Sequence, residues 1–211
     1  MKNKFLLLLF VLVIQANSLL AFDLDNYPFS AGLSIAGKMG VNAANVPDGL
    51  QNSLSFLKGV DVAATVYLPM ADDSKTGIFV ELGYTNTPFG LKQYGTNATS
   101  FMNQKWLTVS PIVLMYGITL GLEFGFDAFG DAVDEKYVMF GFTPRKPDFN
   151  VNLRVGFMQP LMSKPLGTLN FIINGTYNIT GSDYWGDYTY NPATISLGLN
   201  FLFNLETSAE Y

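Results

Sequence analysis

Along most of this chain, bulky apolar residues recur at every second position with polar residues between them. Leu169, Phe171, Ile173, Tyr177 and Ile179 share one phase, while Asn170, Asn174, Thr176 and Asn178 occupy the other. Near the C-terminus Ile195, Leu197, Leu199, Phe201 and Phe203 alternate with Ser196, Gly198 and Asn200. Successive side chains of an extended chain point to opposite faces, so a period of two predicts strands. Eight segments fit: residues 29–41, 56–68, 77–86, 106–116, 118–128, 149–157, 168–179 and 193–205. Their lengths reach or approach the roughly 9–11 residues that a tilted strand needs to cross a bilayer.

The mid-strand charges obey the same alternation. Lys38, Asp61, Glu81, Glu123 and Arg154 all lie on the phase opposite the bulky apolar residues. A sheet closed into a barrel would turn all five inward, where they are expected to pair as an interior ion network. Lys58 shares the apolar phase but stands at a strand end, where its stem can snorkel to an interface. The fourth segment has the least defined phase, because its minor face begins polar (Thr108, Ser110) and ends apolar (Ile112, Leu114). Pro111 removes one ladder donor there and predicts a bulge or an unpaired site.

The connections alternate in length, as an up-and-down barrel with both termini at one end requires. Residues 42–55, 87–105, 129–148 and 180–192 are read as long links; 69–76, Gly117 and 162–165 as short ones. Two features compete with eight strands. Residues 137–142 can form a further strand, which makes ten the alternative. Asn174-Gly175 is a hairpin cue, but splitting the chain there leaves arms too short to span, and the parity continues from Ile173 to Tyr177. The expected fold is all-β: a closed antiparallel up-and-down transmembrane β-barrel of eight strands.

Composition narrows the setting. Lys2 and Lys4 precede an unbroken apolar run at residues 5–14 and a small-residue exit, with cleavage expected after Ser18 or Ala21. Residues 1–21 thus read as a secretory signal peptide, too short for a helical span, and residues 22–211 as one barrel domain. Without Lys2 and Lys4 the balance is 10 basic to 17 acidic residues, net −7. That argues against nucleic acid as a partner and disfavours direct binding of anionic lipid headgroups unless divalent cations bridge. No Cys and no His are present. Their absence removes disulfides, a lipoprotein anchor, the usual transition-metal ligands and most nucleophile–base pairs. No catalytic residues, metal site or cofactor are expected.

Three surface features stand out. Ser196, Gly198, Phe201 and Phe203 form a polar-x-Gly-x-x-aromatic-x-aromatic arrangement that resembles the signal by which barrel-assembly machinery recognises a last strand. Eight residues follow Phe203, and the terminal Tyr211 is in phase with it, so a strand running to the end is the other reading. Tyr184, Trp185, Tyr188 and Tyr190, with Asp183 and Asp187, make the link before the last strand aromatic and acidic. That composition suits either recognition of an extracellular protein or glycan, or an aromatic girdle at a membrane interface. Asp127, Asp131, Asp134 and Glu135 lack the order and glycine of a calcium loop and read as a solvated acidic loop.

The run from Leu107 through Pro111 to Tyr116, followed by Gly117-Ile-Thr-Leu-Gly-Leu-Glu-Phe-Gly, resembles the central hairpin of the PorT-like outer-membrane β-barrel domains. In that family a Pro-containing strand leads straight into a Gly-rich one. The resemblance implies an eight-stranded barrel of the small OmpA and OmpX type and implies no reaction. The expected protein is therefore a non-enzymatic barrel of the bacterial outer membrane. Its partners would be the lipid bilayer, the assembly machinery and an unknown extracellular protein or glycan. Two alternatives remain at this level: a soluble, lipocalin-like exported barrel with an apolar lumen, and a narrow pore.

Overall fold

The computed structural model describes residues 29–46, 48–70, 76–96, 99–129, 147–183 and 189–205. The chain forms β1 (Ser30–Asn42), the short β2 (Leu50–Ser53), β3 (Ser55–Pro69), β4 (Thr76–Gln93), β5 (Thr99–Met115) and β6 (Ile118–Phe126). After a long link come β7 (Phe149–Lys164), β8 (Gly167–Asn178), the two-residue β9 (Ser182–Asp183) and β10 (Thr189–Tyr190), and β11 (Pro192–Asn204). The eight long strands pair antiparallel in the order β1-β3-β4-β5-β6-β7-β8-β11. β11 then pairs with β1 from Ser30↔Asn204 to Asn42↔Pro192. The fold is an all-β, closed, up-and-down barrel, with eight strands in its ring among the described residues. Residues 137–142, the candidate further strand, lie outside them, as do residues 1–21.

Local chemistry explains the turns. Tyr116 and Gly117 both take positive φ, 51° and 84°, and join Met115 to Ile118 across two residues. That primed geometry matches the right-handed twist of the flanking strands. Asn174-Gly175 makes no turn: Gly175 pairs with Val155 on one side and Ile195 on the other, inside β8. Pro111 pairs with Val80 of β4, whereas the β5–β6 ladder skips Ser110 and Pro111, the local unpairing expected of a missing donor.

Several expected boundaries are corrected. The link at 87–105 is mostly strand, since β4 and β5 pair continuously out to Lys92↔Thr99. Within 42–55, β2 pairs with the far end of β4, from Leu50↔Gln93 to Ser53↔Gly90. β7 runs on to Lys164, so the expected link at 162–165 shrinks to a turn at Pro165 and Leu166. Lys58 lies near the start of β3, as expected, but within a bulge, where the register with β1 jumps from Lys38↔Gly59 to Gly40↔Ser55.

Burial follows the parity. Leu33, Ile35, Val62, Val66, Leu82, Val113, Leu120, Val155, Leu197 and Leu199 are exposed on the outside. Ser34, Thr65, Thr108, Asn152, Asn174, Ser196 and Asn200 are buried in the lumen. At the short-turn end the lumen changes character. Tyr67, Phe79, Ile112, Leu114, Met158, Ile172 and Leu202 pack there as an apolar plug, with Ala36 beside them. Ile112 and Leu114 thus point inward, which resolves the ambiguous phase of the fourth segment.

Beyond the ring, toward the long-loop end, the alternation of β4 and β5 changes sign. Phe89, Leu91 and Met102 are now the buried, inward residues. Asn86, Lys92, Asn103 and Lys105 take the outward phase. The crossover coincides with the cross-strand row Tyr84↔Leu107↔Phe126↔Phe149.

A narrow barrel fits its side chains by setting large residues opposite small ones. Gly156 is such a place: an added Cβ would collide with the Asn174 side chain and sit 2.5 Å from Thr119 Oγ1 and 2.6 Å from the Ile173 carbonyl. Gly156→Ala is expected to destabilise the barrel by about 1–3 kcal/mol through overpacking. Gly175→Ala on the outward face, whose nearest neighbour would be 3.7 Å away, is expected to stay within about 0.5 kcal/mol of the parent. Urea titration of the refolded variants measures both.

Candidate functional site: the lumen and the loop end

Inward parity brings the five predicted charges into the lumen, and their partners come from different strands. Lys38 of β1 reaches past β3: its Nζ is 2.6 Å from Asp61 Oδ1 and donates to Thr85 Oγ1 of β4 at 2.5 Å. The Thr85 hydroxyl in turn donates to Asp61. Arg154 of β7 crosses the lumen to β4, with Nη1 2.5 Å from Glu81 Oε2. Glu123 accepts from Asn152 Nδ2 at 2.8 Å, and Asn152 Oδ1 accepts from Asn178 Nδ2 at 2.9 Å.

The five charges therefore form two ion pairs and one amide-held carboxylate rather than one continuous network. Lys38, Glu81, Glu123 and Arg154 are each at least nine-tenths buried. Thr85 and Asn178 complete the arrangement; inward parity marks both, but nothing in the sequence says which charge each one meets. Two cavities of about 20 Å³ each flank the Arg154–Glu81 pair, one bounded by Phe79, Ile112 and Met158, the other by Asp61, Thr85 and Glu123. Each has room for about one water. Among the described residues, no group of three or more metal-ligating side chains is present.

The last strand places its motif on two faces. Ser196 and Asn200 are buried in the lumen. At Gly198 any Cβ would collide with the Ile35 carbonyl of β1, so the ring closes across a glycine. Phe201 and Phe203 face outward with ring centroids 4.5 Å apart and planes at 75°. Tyr211 lies outside the described residues.

At the loop end, Tyr184, Trp185 and Tyr188 also lie outside the described residues. Tyr190 belongs to β10, which pairs with β9 through Thr189↔Asp183 and Tyr190↔Ser182, so the segment is bounded by a short hairpin ladder. Asp127 Oδ1 accepts from Phe129 N at 3.2 Å; Asp131, Asp134 and Glu135 lie outside the described residues. A polar cleft of about 500 Å³ between residues 44–46, 48–52 and Tyr94 was not legible in the sequence. Asn52 Nδ2 donates to the Ala44 carbonyl at 2.9 Å, and Tyr94 N to the Gly49 carbonyl at 2.9 Å, which fixes the walls.

Strand order, closure and lumen define this chain as an eight-stranded antiparallel β-barrel, polar through its middle and apolar outside. No family model matches the sequence, and no curated protein does. Among solved structures it is similar to the outer membrane protein OprG from Pseudomonas aeruginosa. The identity is 13%, the TM-score 0.45, and the likeness covers 86% of this chain and 100% of that one. It is also similar to the outer membrane protein AlkL in lipid bilayers, at 11% identity and a TM-score of 0.42, over 90% of this chain and 98% of that one. At these identities neither likeness says what this chain binds or does.

Proposed function

We propose that this chain is a small, non-enzymatic β-barrel of the bacterial outer membrane, exported by its N-terminal signal, with a filled lumen that carries no large flow. It acts as a structural element or through the loops at its long-loop end. The PorT-like resemblance belongs to the same reading and rests on the hairpin around Pro111 and Gly117. The carrying observation is the distribution of solvents around the wall. Between the two aromatic rims, large apolar side chains cover the outside of all eight strands, while the charges of that band, Lys38, Asp61, Glu81, Glu123 and Arg154, take the inward phase. An apolar surface that encircles a protein is far larger than soluble monomers expose.

Two further features mark the edges of a lipid band. Aromatic rings cluster at its two rims, Tyr84, Phe126, Phe129 and Phe149 at one and Tyr116, Phe201 and Phe203 at the other, as in membrane barrels. Past the first rim the outward phase of β4 and β5 brings in Asn86, Lys92, Asn103 and Lys105, the change expected where the outer solvent turns from lipid to water. The lipocalin-like alternative needs an apolar lumen along its length, and here the middle of the lumen holds charges and amides.

A plug is favoured over the narrow pore, because the Arg154–Glu81 pair across the lumen and the Lys38–Asp61 pair between neighbouring strands stand above a packed apolar plug. Planar-bilayer recordings of the refolded barrel are expected to show no large, stable conductance. Sustained porin-like openings would contradict the claim.

A further inference from the structure

The bulge of β3 assembles cations and apolar side chains on the outer wall, just beyond the aromatic rim. Leu57 takes a positive φ of 49° there, a conformation that costs an L-residue with a branched side chain. Strain of this kind persists where a neighbourhood imposes it, and it marks candidate functional positions. Its effect is to project Phe56 and Leu57, 62% and 54% exposed, to the outside. It also carries the Lys58 side chain over β4 to β5, where Nζ lies 3.7 Å from the centre of the Phe101 ring. Phe101 can lie flat across β4 because its cross-strand partner is Gly90; a Cβ there would meet the ring at 3.0 Å. Lys92 is two residues further along β4, paired with Thr99.

Height along the wall matters. From Leu68 to Val60 the outward residues of β3 are apolar. Eight rises of roughly 3.3 Å at a tilt of about 40° make this stretch about 20 Å tall. Lys58 is the next outward position. A lysine at that height stands where lipid headgroups lie, and Phe56 and Leu57 of the same bulge add exposed apolar surface beside it. Among the described residues no carboxylate forms an ion pair with Lys58 or Lys92. The chain as a whole is acidic, so this cationic patch runs against its net charge.

We propose that Lys58 and Lys92, with Phe56 and Leu57, form a binding site for one anionic lipid bearing a phosphate in the leaflet at the long-loop end. The lysines hold the phosphate and the bulge supplies the apolar contact. The site rests on the membrane reading above.

The test is native mass spectrometry of the detergent-purified barrel after exposure to equimolar phosphatidic acid and phosphatidylcholine. One phosphatidic acid is expected to be retained in preference, and Lys58→Gln with Lys92→Gln to lower that preference roughly thirtyfold. Lys164→Gln at the opposite end is expected to leave it unchanged, as is millimolar inorganic phosphate. Equal retention of the two lipids, insensitivity to the double substitution, or displacement by inorganic phosphate would each overturn the proposal. In those cases the protein still requires detergent; failure of the membrane reading instead shows as solubility without it.

Discussion

Arg154→Met is expected to lower the unfolding free energy of the barrel by about 3–5 kcal/mol, because it leaves Glu81 buried without its counter-charge. The guanidinium crosses from β7 to β4, 2.5 Å from Glu81. It is also the only basic side chain among those lining the second lumen cavity, alongside Asp61, Glu81 and Glu123. Glu81→Leu combined with Arg154→Met removes both charges, and the double variant is expected to recover most of the loss. Urea unfolding from lipid vesicles measures all three variants, and the coupling between the two sites is read from the double-mutant cycle. A loss in the single variant that the double variant fails to recover would mean that Arg154 acts by packing alone.

The second large effect is expected on the other face. Leu197 sits midway along β11, opposite Gly37 and Ile173, and points outward. Leu197→Arg is expected to cost about 2–4 kcal/mol, the penalty for a cation at mid-depth on a lipid-facing wall. Leu68→Arg, near the short-turn rim, is expected to cost only about 0–1 kcal/mol. A wall in water removes this difference, since an exposed Leu replaced by Arg there stays within about 0.5 kcal/mol at either height. The gradient of cost with height, more than either value, distinguishes lipid from water outside.

Strand parity was legible in the sequence wherever the two solvents differed in polarity. β1, β3, β6, β8 and β11 have lipid-type residues on one face and polar lumen residues on the other, and their expected bounds lie within one or two residues of the observed ones. The reading weakened where that contrast disappears. Ile112 and Leu114 are apolar on the lumen face because the short-turn end is plugged, so both faces of β5 look alike there. It failed for the ends of β4 and β5 because the sign reverses: Phe89, Leu91 and Met102 point in while Lys92 and Lys105 take the outward phase. Pro88, Gly90 and Gly95 made the same stretch resemble a loop.

Among the candidate site residues, the inward placement of Lys38, Asp61, Glu81, Glu123 and Arg154 followed from parity alone. Which pairs form did not: Lys38 meets Asp61 on the neighbouring β3 and Thr85 one strand further on, and Arg154 meets Glu81 across the lumen. Closure brings them together, and closure depends on register across all eight strands. The β3 bulge was invisible for a related reason: two extra residues in a strand leave no compositional trace.

Where the protein resides tests the membrane assignment most directly. Membrane fractionation of cells expressing the full chain, followed by detergent extraction, is the measurement. The expected result is recovery in the outer-membrane fraction and release only by detergent. A monomer that stays in the soluble periplasmic extract without detergent would contradict it.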